Sequence, residues 1–194
     1  STDKTLDIAK KFNAKIFTHS LDNNFASQRN FGLEKAQGDW VLFIDPDERV
    51  TPELKDEIKK QLIFATSSGY FFKRNDFYGG RWLKHGETSK TRLLRLAKKN
   101  SGKWVRSVHE IWQIKGKTSE FINPLVHYSH STISEFLSSI NVYSSLHAKE
   151  LKESGSKSSL SRIIFNPLAK FIKNYFFRLG FLDGMPGAIV AFMM

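Results

Sequence analysis

The spacing of apolar residues changes character partway along the chain. Leu6, Ile8, Ala9 and Phe12 predict a first helix, which Ser1 or Thr2 can cap. Lys15-Ile16-Phe17 predicts a short strand. Phe25, Arg29, Leu33 and Ala36 fall at helical spacing over residues 25–36, and Gly38 supplies a stop. Trp40-Val41-Leu42-Phe43-Ile44 is apolar throughout, as in a buried strand. Thr51-Pro52 then opens an amphipathic helix over residues 52–64, carrying Leu54, Ile58 and Leu62. From Gly69 onward strands dominate: residues 70–73, 91–96 and 104–114, separated by turns rich in Gly and Lys. Thr132-x-x-Glu135 forms a capping box before a helix to about Leu151, and residues 152–159 form a polar linker. Alternating helix and strand followed by grouped strands predict an α/β half joined to a mixed-sheet half.

The last segment carries a continuous helical stripe: Ile164, Leu168, Phe171, Ile172, Tyr175, Phe176 and Leu179. Lys170, Lys173 and Arg178 lie off it. A basic amphipathic helix with aromatic weight suits an anionic bilayer surface, and packing on the protein's own core is the alternative. No uninterrupted apolar run reaches the ~20 residues a spanning helix needs, although residues 184–194 can begin one. The division expected is therefore residues 1–151 as the main domain and 152–194 as a membrane-associating helical segment.

Charge sharpens this picture. The 194 residues carry a formal net charge of +11, concentrated in two places. Residues 73–106 hold eleven Lys/Arg against Asp76 and Glu87, and residues 156–182 hold five with no acid. Two basic patches imply two anionic partners. The absence of Cys excludes disulfides and thiolate zinc sites. The chain opens without an initiator Met and closes on an apolar run, which together suggest a piece of a longer protein.

The most informative chemistry is Asp45-Pro46-Asp47, directly after the apolar run 40–44. Open α/β sheets bind ligands beyond their strand ends, and hard cations such as Mg²⁺ or Mn²⁺ choose carboxylate oxygens shared with a substrate phosphate. The pattern points to a metal-dependent enzyme acting on a diphosphate-bearing substrate. A strand followed by a polar turn would account equally well for the same residues taken alone.

Ala26-Ser27-Gln28-Arg29-Asn30-Phe31-Gly32 and Gly38-Asp39-Trp40-Val41-Leu42-Phe43-Ile44-Asp45-Pro46-Asp47-Glu48 together resemble family 2 glycosyltransferases of the GT-A fold. Within that family the chain is most similar to bacterial enzymes that add sugars to lipopolysaccharide core or other lipid-linked acceptors, glucosyltransferases among them. Trp104-Val105-Arg106-Ser107-Val108-His109-Glu110, Leu125-Val126-His127-Tyr128-Ser129 and Arg178-Leu179-Gly180-Phe181-Leu182-Asp183-Gly184 extend the resemblance in the same order. It implies a GT-A-like (Rossmann-like) α/β fold: a mixed central sheet flanked by helices, truncated at its N-terminus, with a C-terminal amphipathic extension. Ser1-Thr2-Asp3-Lys4-Thr5 resembles the tail of the family's nucleotide-binding opening, whose earlier strands would precede it. Lys84-His85-Gly86-Glu87-Thr88-Ser89-Lys90 departs from the family in lacking aromatic and proline residues.

The resemblance implies an inverting transfer from a nucleotide diphosphate, UDP-glucose being the family-based choice, at the inner face of the plasma membrane. Asp47 would coordinate the divalent metal, and Asp45 would contact metal, ribose or sugar. His127 is a candidate third ligand, with a satisfied core or surface histidine as the equal alternative. Glu110 is the candidate general base, with pairing to Arg106 or Lys115 as its structural alternative. His109, next to it, is a substrate-binding candidate; on a strand the two would face opposite sides. Arg29 suits a bidentate phosphate contact, and Asn30 a sugar or ribose hydroxyl. Arg92 and Arg95, expected on one strand face, would meet the diphosphate or an anionic acceptor. Two other classes compete: a basic nucleic-acid-binding module, which would not need Asp-x-Asp, and an inactive fragment serving as a membrane-associated interaction domain. With the transferase reading preferred, no nucleic-acid partner is expected.

Overall fold

The computed structural model describes residues 3–130 and 132–194, so the cap expected from Ser1 or Thr2 lies outside the described residues. Helices α1 (Thr5–Lys11), α2 (Phe25–Lys35) and α3 (Pro52–Ile63) precede most of the sheet. Local chemistry sets where they start. The Asn24 side chain accepts from the Ser27 N–H at 2.9 Å, and Thr51 Oγ1 accepts from the Leu54 N–H at 3.2 Å. The strands are β1 (Trp40–Leu42), β2 (Glu48–Arg49), β3 (Gly69–Tyr78), β4 (Arg81–Leu83), β5 (Arg92–Lys98), β6 (Gly102–Val105), β7 (Ile111–Ile114), β8 (Thr118–Glu120) and β9 (Leu125–Tyr128). Helices α4 (Ile133–Glu153), α5 (Leu160–Ile172) and α6 (Gly184–Met193) close the chain.

Seven strands form one sheet in the order β1-β5-β3-β9-β2, with β4 and β8 also paired to β3. Ten-residue β3 is its spine: β5 and β4 run antiparallel to it, β8 and β9 parallel. Tyr70 faces Leu96 but Phe71 faces Leu94, so Arg95 is an extra, bulged residue on β5. Its carbonyl accepts from the Phe43 N–H at 2.9 Å, which ties the end of β1 to the bulge. Helix α2 covers one part of the core, where Ala26 and Leu33 meet Leu94, Ala97, Trp104 and Trp112. Helix α3 covers another, where Leu54 meets Tyr70, Phe72, Leu96, Phe121 and Leu125. A third cluster joins Tyr78 and Leu83 to Phe136 of α4 and Val190 of α6. This is a mixed α/β fold of the GT-A-like kind.

Several elements differ from the sequence expectation, each for a physical reason. Lys15-Ile16-Phe17 is not a strand, because no described strand hydrogen-bonds to it, and an unpaired strand has nothing to hold it. Residues 40–44 are not a fully buried strand: β1 is a three-residue edge strand, half-buried, and Ile44 is exposed. Residues 104–114 are a hairpin rather than one strand. Arg106 and His109 adopt left-handed backbone (φ 72° and 52°), reversing the chain so that Trp104 faces Trp112. The helical stripe to Leu179 is interrupted. A π-turn at Lys173–Phe177 follows α5, and Leu179 turns left-handed at φ 57° before a 3₁₀ turn, Gly180–Asp183. The predicted α4 holds, with Thr132 Oγ1 accepting from the Glu135 N–H at 3.1 Å.

The hairpin depends on one close approach. A Cβ at Gly102 would stand 1.8 Å from the Gln113 carbonyl oxygen, a rigid backbone atom. Gly102→Ala should therefore part β6 from β7 and lower stability by about 1–3 kcal/mol, as overpacking does. Chemical denaturation measures this directly, and an unchanged midpoint would contradict the tight approach.

Candidate active site

Beyond β1 the chain turns outward, and Asp45 is fastened on three sides. Its N–H donates to Glu48 Oε2 at 3.0 Å, with the buried Glu48 supplied by β2. Its carboxylate accepts from Arg29 Nη2 at 3.0 and 3.2 Å and from Arg95 Nη2. The same Arg95 nitrogen donates to Glu48 Oε1 at 2.9 Å. The bulge is what brings Arg95 here: residues three apart on a regular strand face opposite ways, yet Arg92 and Arg95 both line one cleft.

Arg29 carries the arrangement further. Its Nε donates to Glu110 Oε1 at 2.6 Å, so one guanidinium joins Asp45 to Glu110. It lies 4.8 Å from the centre of the Trp104 ring and 5.8 Å from that of Phe43, within cation–π range. The ion pair that Glu110 makes is with Arg29, not with Arg106 or Lys115, the two partners named as the alternative to its role as a base. With Arg29 so engaged, its described contacts are with carboxylates and aromatic faces. Asn30 also differs from expectation. Its amide donates to the Trp104 carbonyl and accepts from the Trp104 N–H, both at 2.9 Å, mimicking a strand neighbour. It holds β6 and does not line the cleft.

A second group sits nearby. His127 of β9 pairs with Asp76 of β3 through Nδ1 and with Asp47 through Nε2 at 3.2 Å. Burial alone would lower the imidazole pKa, but the bonds to Asp47 and Asp76 outweigh it and push it up to about 9. The same hydrogen bond to His127 holds Asp47 below the usual carboxylate range, against a smaller opposing effect of burial. The three expected metal ligands are therefore not brought together. Asp45 is committed to two arginines, and among the described residues no group of three or more His, Cys, Asp or Glu is arranged to hold a metal. Asp47 and His127 form a two-residue donor set, with Asp76 behind the imidazole. A divalent cation could enter this carboxylate–histidine arrangement only by displacing the proton on Nε2 and parting His127 from Asp47, with substrate phosphate and water completing its shell.

Both groups open into a cleft of about 840 Å³. Arg74, Arg92, Arg106, His109 and Tyr143 also line it. His109 and Glu110 both reach the cleft, because their segment is a loop and strand alternation does not apply. Burial, then His147 and Arg106, hold His109 below its ordinary pKa. Arg92 donates to Glu120 at 2.9 Å. Sequence reasoning assigned no role to Glu48, Asp76 or Tyr143. Asp76 had a signal, as one of two acids in a strongly basic stretch, and Glu48 stood within the quoted motif. Tyr143 comes from a helix remote in sequence and had none.

The profile of the glycosyl transferase family 2 matches residues 1–114, more than half of the chain. The chain belongs to that family. This glycosyl transferase family 2 member is 29% identical over 204 residues to an uncharacterized glycosyltransferase of Rickettsia typhi, covering 97% of this chain and 69% of the relative. It is 29% identical over 189 residues to the lipopolysaccharide core biosynthesis glycosyltransferase LpsC of Rhizobium meliloti, covering 91% of this chain and 70% of the relative. An uncharacterized glycosyltransferase of Rickettsia bellii is 28% identical over 210 residues, covering 97% of this chain and 68% of the relative. The family match takes in Arg29, Asp45, Asp47 and Glu110, whereas His127 and α4 lie beyond it.

In this family 2 glycosyltransferase the imidazole of His127 gives a testable pH dependence. Its pKa rises from 6.5 to about 9 on folding, so its stabilising contribution is complete below about pH 6.5. The contribution is lost as pH rises through about 9. Unfolding free energy measured from pH 6 to 10 should fall across that window, and His127→Ala should lack this component; identical profiles would contradict the pairing.

Proposed function

We propose that this glycosyltransferase moves a sugar, with inversion, from a nucleoside diphosphate donor to a lipid-linked or lipopolysaccharide-core saccharide. The observation that carries this reading is the single guanidinium of Arg29 joining Asp45 to Glu110 at the floor of the cleft. It leaves Glu110 oriented on one oxygen, with Oε2 able to take a proton. The acceptor hydroxyl gives its proton to Glu110 as its oxygen bonds the anomeric carbon. The bond from that carbon to the diphosphate breaks on the opposite side, and the nucleoside diphosphate leaves with the electron pair.

Asp47 and His127 would hold a divalent cation, Mn²⁺ or Mg²⁺, which when bound supplies Lewis-acid neutralisation of the leaving diphosphate. Asp76 fixes the imidazole from behind, as a carboxylate does for a ligating histidine. Arg74, Arg92 and Arg106 add positive charge to the cleft, which suits the diphosphate and an anionic acceptor alike. UDP-glucose is the donor of choice by family, and the acceptor class follows the name of the Rhizobium relative.

Two variants test the assignment. Calorimetry should find UDP binding that depends on Mn²⁺ and is lost in Asp47→Ala. Glu110→Gln should retain that binding while glucose transfer from UDP-glucose to core oligosaccharide falls by roughly 10²–10⁴-fold, the usual worth of a positioned base. Binding indifferent to Asp47, or transfer indifferent to Glu110, would remove the corresponding role.

A further inference from the structure

The C-terminal segment is packed the opposite way round from a helix in a soluble core. Over residues 170–183 its polar side faces the protein. Asn174 is buried and donates to Glu87 at 3.0 Å, and Lys170 pairs with the same carboxylate at 3.3 Å. The Arg178 carbonyl accepts from the Gly86 N–H at 2.9 Å, and its Nη1 donates to Asn174 at 3.0 Å. Asp183, also buried, accepts from the His85 N–H and pairs with the His85 ring, both at 2.8 Å. Arg81 closes the clamp, donating to the Asp183 carbonyl at 2.9 Å.

The apolar side faces outward. Helix α5 buries none of its residues. Ile164, Phe165, Leu168, Phe176 and Phe177 are each more than half exposed, with Phe177 at 81%. Helix α6 buries Gly187, Val190 and Ala191 but leaves Phe192 at 82% exposure. Contiguous apolar surface of this extent marks an interaction site.

Charge decides what covers it. Residues 156–182 contain Lys157, Arg162, Lys170, Lys173 and Arg178 and no acid. Lys170 and Arg178 serve the clamp, which leaves Lys157, Arg162 and Lys173 beside the apolar arc. An apolar arc accompanied by bases alone complements the headgroups and acyl boundary of an anionic leaflet. No single described helix is long and apolar enough to cross a membrane; Leu160–Phe177 and Gly180–Met193 reach that length and composition only as a pair, and they are set at 71° to each other. At 1.5 Å per residue the first arm lies about 27 Å along the surface.

We infer that residues 160–194 form a rigid seat on an anionic lipid surface, with the apolar face of α5 and its π-turn in the leaflet and the clamp at Glu87 and Asp183 joining seat to enzyme. The segment that receives the clamp, β4 and the turns that follow it to residue 90, leads into β5, which supplies Arg92 and Arg95 to the cleft. Seat and cleft are thus one mechanical piece, and a lipid-linked acceptor would be met at a fixed height. Only this last consequence rests on the glycosyltransferase reading; the seat does not.

The test is sedimentation of the full chain with vesicles of phosphatidylcholine alone or mixed with phosphatidylglycerol. Binding should rise with the anionic fraction and weaken, without vanishing, in high salt. Phe165→Asp combined with Phe177→Asp should reduce partitioning roughly tenfold or more. Circular dichroism and lipid-free UDP binding of that variant should be unchanged, because both side chains are exposed. Failure to bind anionic vesicles, or binding indifferent to the two aspartates, would overturn the seat. So would a stable dimer in ultracentrifugation that the aspartates dissociate, since a second copy would then cover the face. Vesicle binding without any UDP binding would uphold the seat and count against the catalytic reading alone.

Discussion

Arg29 is the pivot on which the cleft depends. Its guanidinium bonds both the Asp-x-Asp loop and the Glu110 loop, two segments separated by most of the sheet in sequence. A guanidinium suits this position where an ammonium would not. It stays charged and planar, presents donors in fixed directions, and can lie over an aromatic ring. The ring is itself supported: Trp104 stacks on Trp112 with centroids 5.3 Å apart, and Phe43 meets both edge-on at 5.2 Å. A largely buried ion network is costly to desolvate, and it persists only where every partner is placed. Here Glu48, Arg95 and the aromatic box do the placing.

The fold supplies those partners through irregularities rather than regular elements. The bulge on β5 turns Arg95 into the cleft and ties Phe43 to the strand. The left-handed residues Arg106 and His109 hold the loop that presents Glu110, and such backbone persists only where the surroundings over-determine it. Val108, almost wholly buried, anchors the middle of that loop, and the Ser107 carbonyl accepts from the Phe25 N–H at 3.0 Å. Asn30 completes the frame by pairing with the Trp104 main chain. The residues around the proposed base are thus mostly positioning residues.

How much of this was legible in the sequence follows from how local each signal is. Helices α3 and α4 announce themselves by cap and period, since Thr51 and Thr132 act on neighbours three residues away, and α2 by its period and the Gly38 stop. Asp45, Asp47 and Glu110 stand in recognisable segments. The partners of those residues were not legible, because pairings such as Arg29 with Glu110 or His127 with Asp76 are long-range and fixed by register. Strand boundaries failed where a tertiary feature decides them: the hairpin turn at residues 106–110, and the missing pairing at residues 15–17. The amphipathic stripe at the C-terminus was visible, but not that its polar side would be the buried one. That inversion depends on Glu87 and His85, whose partners Asn174, Lys170 and Asp183 lie far along the chain.

The most direct test of the central claim is a double-mutant cycle between Arg29 and Glu110, read as UDP release from the UDP-sugar the chain binds. If Arg29 acts by orienting Glu110, Arg29→Met should cost little further once Glu110→Gln is present, so the two losses should be far from additive. Fully additive losses would mean that Arg29 and Glu110 act independently, and would contradict the arrangement proposed for the cleft.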